Sequence, residues 1–169
     1  MNYLTVPLSA KLDRTGFQSG RDLLDRYFKH QANQDVEKKL AACYVYLGED
    51  QMGVIGYYTL SASSIPQDML TPDFKKRLPG SYASIPMILL GRLAVDHRFQ
   101  RKGLGRLLLV DALKRCYHSS ELLGIFAVVV DPMDGNAMEF YLKFGFVLLP
   151  DSKKMVLSMR TIQGIFGGK

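Results

Sequence analysis

Cysteine is scarce in this chain of 169 residues, and the residue types that bind metals are scattered. Cys43 and Cys116 stand far apart and match no metal-ligand spacing. The three histidines, His30, His97 and His118, are equally isolated along the sequence. We therefore expect reduced cysteines packed on the faces of a strand and a helix, no disulfide and no metal.

Long apolar segments are also missing. The apolar run over residues 85–90 contains Pro86 and is soon followed by Arg92, so it is too short and too polar to cross a bilayer. The first twelve residues mix polar residues with a proline and lack the apolar core of a signal peptide. These absences predict a cytoplasmic protein without a membrane partner.

Positive charge exceeds negative charge, with 22 Lys and Arg against 16 Asp and Glu and a formal net charge of +6. Basic residues recur in short groups such as Lys75-Lys76-Arg77 and Arg101-Lys102, and the sequence contains no acidic cluster. Such a charge suits a polyanionic ligand, either a phosphate-rich cofactor or a nucleic acid. Charge alone does not choose between the two.

The apolar pattern predicts one α/β domain over residues 1–169, with helices on both faces of a single mixed sheet. Strands are expected over residues 3–8, 42–47, 54–61, 85–95, 125–130, 146–149 and 155–159. Helices are expected over residues 21–31, 35–40, 103–117 and 136–144, with a loop and a short basic helix over 66–79. Asp111 falls on the polar face of the third helix, residues 48–53 are expected to form a hairpin turn, and the tail 161–169 is expected to be frayed.

The passage from the central strand into the long helix is the most informative part of the sequence. The strand ends in Leu93-Ala94-Val95, and a polar loop then leads to glycines at positions 103 and 105. Amides at the start of a helix, together with the helix dipole, form an anion site. Glycine lets the backbone approach a phosphate because it has no Cβ.

The same loop is basic, since Arg98, Arg101 and Lys102 precede the glycines. Its spacing differs from the Rossmann fingerprint and from the P-loop, which argues against dinucleotides and nucleoside triphosphates. From two glycines alone, a helix start without a ligand is the commoner outcome, because short glycine patterns recur by chance. The turn therefore needs independent support.

A second pattern lies downstream, over residues 136–146. Ala137, Phe140, Tyr141 and Phe144 are spaced so that they form one apolar stripe of a helix, which Gly145 ends. Periodicity alone favours Tyr141 as a core residue. A tyrosine on such a stripe can still direct its hydroxyl into a cleft and donate to a developing thiolate.

Both patterns resemble motifs of the GNAT acetyltransferase family. Gln100-Arg101-Lys102-Gly103-Leu104-Gly105 is similar to the family's (Gln/Arg)-x-x-Gly-x-(Gly/Ala) motif, and Asn136 to Phe146 is similar to its Asn-containing helix that closes with Phe-Tyr-x-x-x-Gly-Phe. The resemblance implies the GNAT fold, acetyl-coenzyme A as co-substrate and no metal.

The resemblance also implies roles for individual residues. The turn from Gln100 to Gly105, with Leu104 and the charges of Arg98, Arg101 and Lys102, would hold the pyrophosphate of coenzyme A. The strand Leu93-Ala94-Val95 would pair with the pantetheine arm, and the Asn136 side chain would contact it. Tyr141 would face the thioester sulfur and protonate the departing thiolate.

Further matches extend from about Phe17 to about Phe146 and resemble the GNAT toxins of bacterial toxin–antitoxin modules. They include Phe17-x-Ser19-Gly20, Gly56-Tyr57-Tyr58-x-Leu60-Ser61 and Leu90-Gly91-Arg92-Leu93-Ala94-Val95-Asp96. Ser19 stands where a cysteine is common in those relatives. The resemblance implies acetylation of the α-amine of aminoacyl-tRNA, a homodimer and a ribbon-helix-helix antitoxin.

Several acceptors of the acetyl group stay open. We expect Lys75, Lys76, Arg77 and Arg92 to contact tRNA, whereas a small amine, an antibiotic or a protein N-terminus stays open as an acceptor. The pKa of an α-amine, about 7.7 to 8.0, leaves much of it neutral without a general base, unlike a lysine amine near about 10.4. A non-catalytic acyl-coenzyme A- or RNA-binding module is a further alternative, and it would not need the Tyr141 hydroxyl.

Overall fold

The computed structural model describes residues 2–50 and 53–167, and the chain divides into two compact units. The first unit comprises the chain up to Ser61 together with Leu90–Leu113. The second comprises Ala62–Leu89 and the chain from Lys114 onward. The single domain expected over 1–169 stays a prediction. Residues 51 and 52 of the expected hairpin turn, and residues 168 and 169 of the expected tail, lie outside the described residues.

The strands match the expected positions closely. In the described ranges they are β1 Val6–Pro7, β2 Ala42–Leu47, β3 Val54–Pro66, β4 Ser84–Val95, β5 Ala127–Val130, β6 Val147–Leu148 and β7 Met155–Ser158. They form one seven-stranded sheet in the order β1-β2-β3-β4-β5-β7-β6. β4 and β5 are parallel, whereas β1 and β2, β2 and β3, β5 and β7, and β6 and β7 are antiparallel. The prediction of a single mixed sheet is confirmed.

Six α-helices accompany the strands in the described part of the chain: α1 Asp22–His30, α2 Ala32–Glu37, α3 Pro72–Lys75, α4 Leu104–Ser120, α5 Gly135–Lys143 and α6 Met159–Phe166. Side chains fix several of their ends. Asp134 accepts the Ala137 amide at 2.8 Å as the N-cap of α5. Gly145, with φ of +92°, follows the helix in the left-handed conformation that commonly ends one.

Aromatic side chains form the core of the first unit. Phe28 and Tyr57 stack with ring centroids 4.2 Å apart, and Phe17 meets both rings edge-on. Gly56 of β3 permits a close approach, because an added Cβ would lie 2.8 Å from the Ala94 carbonyl oxygen and 2.7 Å from a Leu108 methyl. This packing fixes the last residues of β4, from which the candidate cofactor turn departs.

The second unit has its own core, to which both of its chain segments contribute. Ile65, Ile85 and Val129 belong to this buried cluster, which Phe126 joins as a partly buried neighbour. All four residues of β5 are buried, as expected for a β-branched strand covered on both faces. α5 also belongs to this unit, and its Tyr141 is buried among aromatic rings.

Three expectations were wrong in detail. Asp111 is buried rather than on a polar face, because the Leu4 amide, the Thr5 hydroxyl and the Tyr58 hydroxyl all donate to its carboxylate. β3 continues beyond its expected end at Ser61 to Pro66, which was expected to be the first residue of the loop over 66–79. Residues 161–166 are helical rather than frayed, because Ser158 caps α6 and Ile162 is fully buried.

Candidate functional site

Asp96 anchors the turn that follows β4. Its side chain is fully buried, and it accepts hydrogen bonds from the Arg98 amide at 3.0 Å, the Arg98 guanidinium at 2.9 Å and the Gln18 amide at 3.1 Å. Burial alone would raise the pKa of this carboxyl, but these donors hold the pKa below its usual value. The anionic Asp96 therefore fixes the shape of the loop and is not available as a base.

The cations of the loop surround one aromatic ring. The Arg98 guanidinium lies 5.4 Å from the centroid of Phe99, and the Lys102 ammonium lies 5.8 Å from it. Arg98 is also paired with Asp96, although its side chain remains 57% exposed. The loop thus presents positive charge to solvent while one of its two arginines is held in place.

The side chain of Gln100 contacts two backbone carbonyls. Its side-chain amide donates to the Ser19 carbonyl at 2.7 Å and to the Val95 carbonyl at 2.8 Å. Ser19 is itself fixed, since its hydroxyl donates to the Asp25 carboxylate at 2.6 Å. The Gln100 side chain therefore joins the turn to the segment before α1, and only its backbone is placed to meet a phosphate.

The turn then passes through two residues with positive φ. Arg101 has φ of +63° and Gly103 has φ of +78°, after which α4 begins at Leu104. The Leu107 amide donates to the Gly103 carbonyl at 3.2 Å. The amides of Leu104 and Gly105 come before this donor in the first turn of α4, so they have no intrahelical carbonyl to donate to. This geometry, a helix start with exposed Arg101 and Lys102 beside it, is suited to an anion.

Side-chain burial alternates along the last residues of β4. Ala94 points into the core of the first unit at 4% exposure, whereas Leu93 and Val95 are half-buried. The Asp96 amide donates to the Ile55 carbonyl at 2.8 Å, which keeps the end of β4 against β3. These three residues, Leu93, Ala94 and Val95, are therefore held by the first unit up to the point where the turn begins.

In the second unit, Tyr141 is held by aromatic rings. Its ring meets Phe140 and Phe146 edge-on at 5.2 Å each, and the residue is 8% exposed. Among the described residues the structure gives its hydroxyl no hydrogen-bond partner. Burial raises the pKa of the Tyr141 hydroxyl to about 12. The hydroxyl is thus a protonated donor at the end of a fixed ring.

Asn136 lies in the first turn of the same helix, α5, and is exposed. The Asp134 cap and the Met138 amide bond to the Asp134 carbonyl, at 3.0 Å, fix the backbone around it. Its amide is therefore available to a ligand that reaches this helix end.

A cavity of about 850 Å³ opens in the first unit between α1, α2 and β4. Its lining includes three cations, Arg26, Lys38 and Arg92, and one carboxylate, Asp35. The Arg92 guanidinium lies 3.4 Å from the centroid of Tyr27, whose hydroxyl donates to Asp35 at 2.8 Å. The stacked arginine is thus held in place by this ring.

The predicted basic loop occupies the second unit, whereas Arg92 belongs to the first. Lys75 and Lys76 are exposed at the end of α3. The Arg77 guanidinium lies 5.2 Å from the ring centroid of Phe74 and 5.4 Å from that of Phe126. Arg77 therefore stacks on two rings, and the two lysines are the more freely extended charges.

A family model described as an acetyltransferase (GNAT) domain matches residues 39–148 of the chain. That span includes β2 to β6 and therefore both the turn and α5. The chain belongs to the GNAT acetyltransferase family. The fold expected from the two motifs is confirmed, and so is the expectation of an acetyltransferase.

Two GNAT relatives are especially informative. A tRNA-acetylating toxin of Mycobacterium tuberculosis is 31% identical over 156 residues, which cover 92% of this chain and 91% of the relative. The toxin AtaT in complex with acetyl-methionyl-tRNAfMet is 25% identical with a TM-score of 0.88, over 98% of this chain and 99% of that one. A structure of AtaTR bound with acetyl-coenzyme A is 26% identical with a TM-score of 0.84, over 96% of each chain.

Cys43 and Cys116 are free and buried, and burial raises the pKa of each thiol to about 12. Within residues 2–50 and 53–167, no three His, Cys, Asp or Glu side chains meet in a way that could hold a metal ion. Nor does any helix in those ranges have the length and apolarity to span a membrane.

Sequence reasoning missed two features of the GNAT site. It did not foresee the cavity beside Arg92, although a cation inside the otherwise apolar strand β4 was a signal for it. It also did not foresee that the Gln100 side chain donates to the Ser19 carbonyl. No local pattern announces that bond, because 81 positions separate the two residues.

Proposed function

We propose that the protein transfers the acetyl group of acetyl-coenzyme A to the α-amine of aminoacyl-tRNA and acts as a translation-blocking toxin in the cytoplasm. The observation that carries the choice of acceptor is the cavity beside β4, whose lining includes the cations Arg26, Lys38 and Arg92 and one carboxylate, Asp35, while Arg26 also pairs with the Asp22 carboxylate at 2.9 Å. Such a lining favours an anionic acceptor over a polycationic one such as an aminoglycoside. The acetylating toxins to which the chain is similar support the same choice.

The residues of the turn would hold the cofactor. The amides of Gly103, Leu104 and Gly105 would bind the pyrophosphate, and Arg101 and Lys102 would add charge. Arg98 would contribute its exposed face while Asp96 keeps it in place. We assign main-chain pairing with the pantetheine arm to Leu93, Ala94 and Val95, and a side-chain contact to Asn136.

Tyr141 would supply the proton for the leaving group. As the amine nitrogen bonds to the acetyl carbon, the carbon–sulfur bond breaks and the Tyr141 hydroxyl donates its proton toward the sulfur. The amine loses its proton to solvent, from which Tyr141 is reprotonated. A phenol of pKa about 12 is a weaker acid than a thiol of about 8.5, so Tyr141 contributes mainly a strong hydrogen bond in the transition state.

The acceptor amine needs no strong base in this scheme. A free α-amine has a pKa of about 7.7 to 8.0, and neighbouring positive charge lowers the pKa of an ammonium further. Arg26, Lys38 and Arg92 would therefore both attract the phosphates of tRNA and favour the neutral, nucleophilic amine.

The remaining partners follow from the likeness to toxins. We propose a homodimer, because a second copy would enlarge the basic surface available to a tRNA. We propose a ribbon-helix-helix antitoxin, because a toxin of this class must be neutralised in its host. Both rest on the family resemblance.

A charge-reversal experiment tests the acceptor. Lys75→Glu combined with Lys76→Glu removes the two exposed cations of the basic loop, and the matched control reverses the exposed Lys11 and Lys153. If tRNA is the acceptor, the first double variant raises the KM for charged tRNA and flattens its dependence on salt, since each lost phosphate contact removes about 0.7 to 0.9 from the slope. Equal activity on free amino acids and on charged tRNA would favour the small-amine alternative.

A further inference from the structure

A second cavity, of about 600 Å³, lies in the second unit between the end of β3 and the start of β4. Its lining includes Asp68, Lys75 and Tyr82. Its volume falls within the range of about 300 to 1,000 Å³ that is usual for small-ligand sites. Of these three residues, only Lys75 has a role in the proposed acetyl transfer.

The rim of this cavity is held by one side chain. The Gln67 amide group donates to the Pro79 carbonyl at 3.0 Å and to the Tyr82 carbonyl at 2.7 Å, and the Gln67 backbone amide donates to the Ala83 carbonyl at 2.8 Å. The backbone of Tyr82 is therefore fixed through its main chain. Tyr82 is 59% exposed, so its ring is accessible to a ligand.

Three chemistries thus meet in one fixed cavity. Tyr82 offers a planar aromatic surface to solvent, and Lys75 offers an exposed ammonium. Asp68, also exposed, offers an acceptor-only carboxylate. A stacking surface, a cation for a phosphate and an acceptor for an amino group are the elements by which proteins hold an unpaired nucleotide.

We propose that this cavity binds one unpaired nucleotide of the RNA acceptor, with the base stacked on Tyr82 and its phosphate on Lys75. The Asp68 carboxylate accepts a hydrogen bond from the exocyclic amino group of cytosine, adenine or guanine, which uracil lacks. The site rests on the proposed function for its RNA ligand. It extends that function by predicting a preference for amino-bearing bases at one position.

The surroundings favour a nucleotide over a peptide segment. Lys76 and Arg77 follow Lys75 and add positive charge beside the cavity, and Arg77 is held by the rings of Phe74 and Phe126. An acidic peptide would gain from these cations but would meet the Asp68 carboxylate. A basic peptide would gain from Asp68 but would be repelled by Lys75, Lys76 and Arg77.

The absence of tryptophan from the sequence allows a direct binding test. Tyr82→Trp keeps an aromatic surface and becomes the only tryptophan in the chain, so a base stacked on it quenches its fluorescence. The probes are single-stranded trinucleotides of sequence C-C-A and U-U-U, and the control reporter is Tyr46→Trp on β2. We expect saturable quenching of the Tyr82→Trp protein by C-C-A, several-fold weaker binding of U-U-U and no response of the control.

The base preference is tested in the same reporter background. Asp68→Asn replaces one acceptor oxygen by a donor, so the preference for C-C-A over U-U-U should disappear. Fluorescence of the Tyr82→Trp protein that stays unchanged with every RNA overturns the site. A preference that survives Asp68→Asn overturns the role of Asp68.

A kinetic test separates this site from the proposed function. Tyr82→Ala should raise the KM for charged tRNA by about 5- to 150-fold, the usual effect of removing one stacked base, while Tyr82→Phe stays near wild type. Neither variant should alter acetylation of a small α-amine such as an amino acid ester. Normal KM in Tyr82→Ala, with tRNA acetylation intact, overturns the nucleotide site and leaves the proposed function standing.

Discussion

The candidate cofactor turn and helix α5 are held in place by different forces. In the turn, Asp96 and Gln100 accept or donate several hydrogen bonds each, and the backbone passes through positive φ at Gly103. In α5, Tyr141 is held by edge-on contacts with Phe140 and Phe146. The first region is positioned by directional polar bonds, and the second by packing.

Substitutions in the two regions should therefore change different quantities: the affinity for acetyl-coenzyme A in the turn, and the rate of acetyl transfer at Tyr141. A polar turn loses its shape when one donor, acceptor or glycine changes, so its variants should bind acetyl-coenzyme A less tightly. A packed ring keeps its position when only its hydroxyl is removed, so that variant should bind normally and react slowly.

Tyr141→Phe tests the packed region and should have the largest effect. The substitution keeps the ring and its two aromatic contacts, and it removes a hydroxyl that has no partner among the described residues. Removing one preorganised hydrogen-bond donor to developing charge costs roughly 10²- to 10³-fold, so kcat should fall by about that factor. The melting temperature and the Kd for acetyl-coenzyme A should stay near wild type. A wild-type kcat would remove Tyr141 from the catalytic role.

Gly103→Ala tests the polar turn and should have an intermediate effect. No atom lies within 4 Å of the added Cβ, so the cost arises from the φ of +78°, which disfavours alanine by about 1 to 2 kcal/mol. If the turn relaxes to avoid this cost, acetyl-coenzyme A should bind about 5- to 30-fold less tightly in calorimetry. Gly16→Ala is the matched control, since it also has open space but no positive φ. Equal affinities in the two variants would contradict the assignment of the turn.

The pH dependence of the rate should show the smallest effect of Tyr141. Because burial raises its pKa to about 12, the phenol stays protonated and active well above pH 9. The value of kcat/KM should rise with pH through the acceptor amine's pKa, about 7.7 to 8.0, and then stay level to pH 10. A phenol with the ordinary pKa of about 10 would instead halve the rate at pH 10. Initial rates between pH 6 and 10 distinguish the two.

Sequence patterns predicted the elements whose signals are local. The apolar run expected as a strand over 125–130 and the apolar stripe of α5 are local patterns, and the structure has a strand at Ala127–Val130 and a helix at Gly135–Lys143. The expected β3 ended at Ser61, because Ala62, Ser63 and Ser64 carry no strand pattern and the buried Ile65 gives only one apolar signal. The sequence over 167–169 suggested a frayed tail, whereas a Ser158 cap and a buried Ile162 keep α6 helical to Phe166.

The non-local contacts could not be predicted in this way. Asp111 is buried because Thr5 and Tyr58, more than 50 positions away, satisfy its carboxylate. The stacking of Arg92 on Tyr27 likewise joins β4 to α1. The motifs pointed to the turn and to Tyr141 as candidate site residues, and these assignments stay predictions. The structure adds which polar side chains support the turn.

The central claim is that this protein acetylates the α-amine of charged tRNA. The most direct measurement incubates the protein with acetyl-coenzyme A labelled in its acetyl group and with aminoacylated or uncharged tRNA, and then recovers the RNA. We predict label on the aminoacyl group of charged tRNA, its loss after the ester is hydrolysed, and almost none with uncharged tRNA or with Tyr141→Phe. Label that appears only on free amines or on protein N-termini, with charged tRNA left unmodified, would contradict the claim.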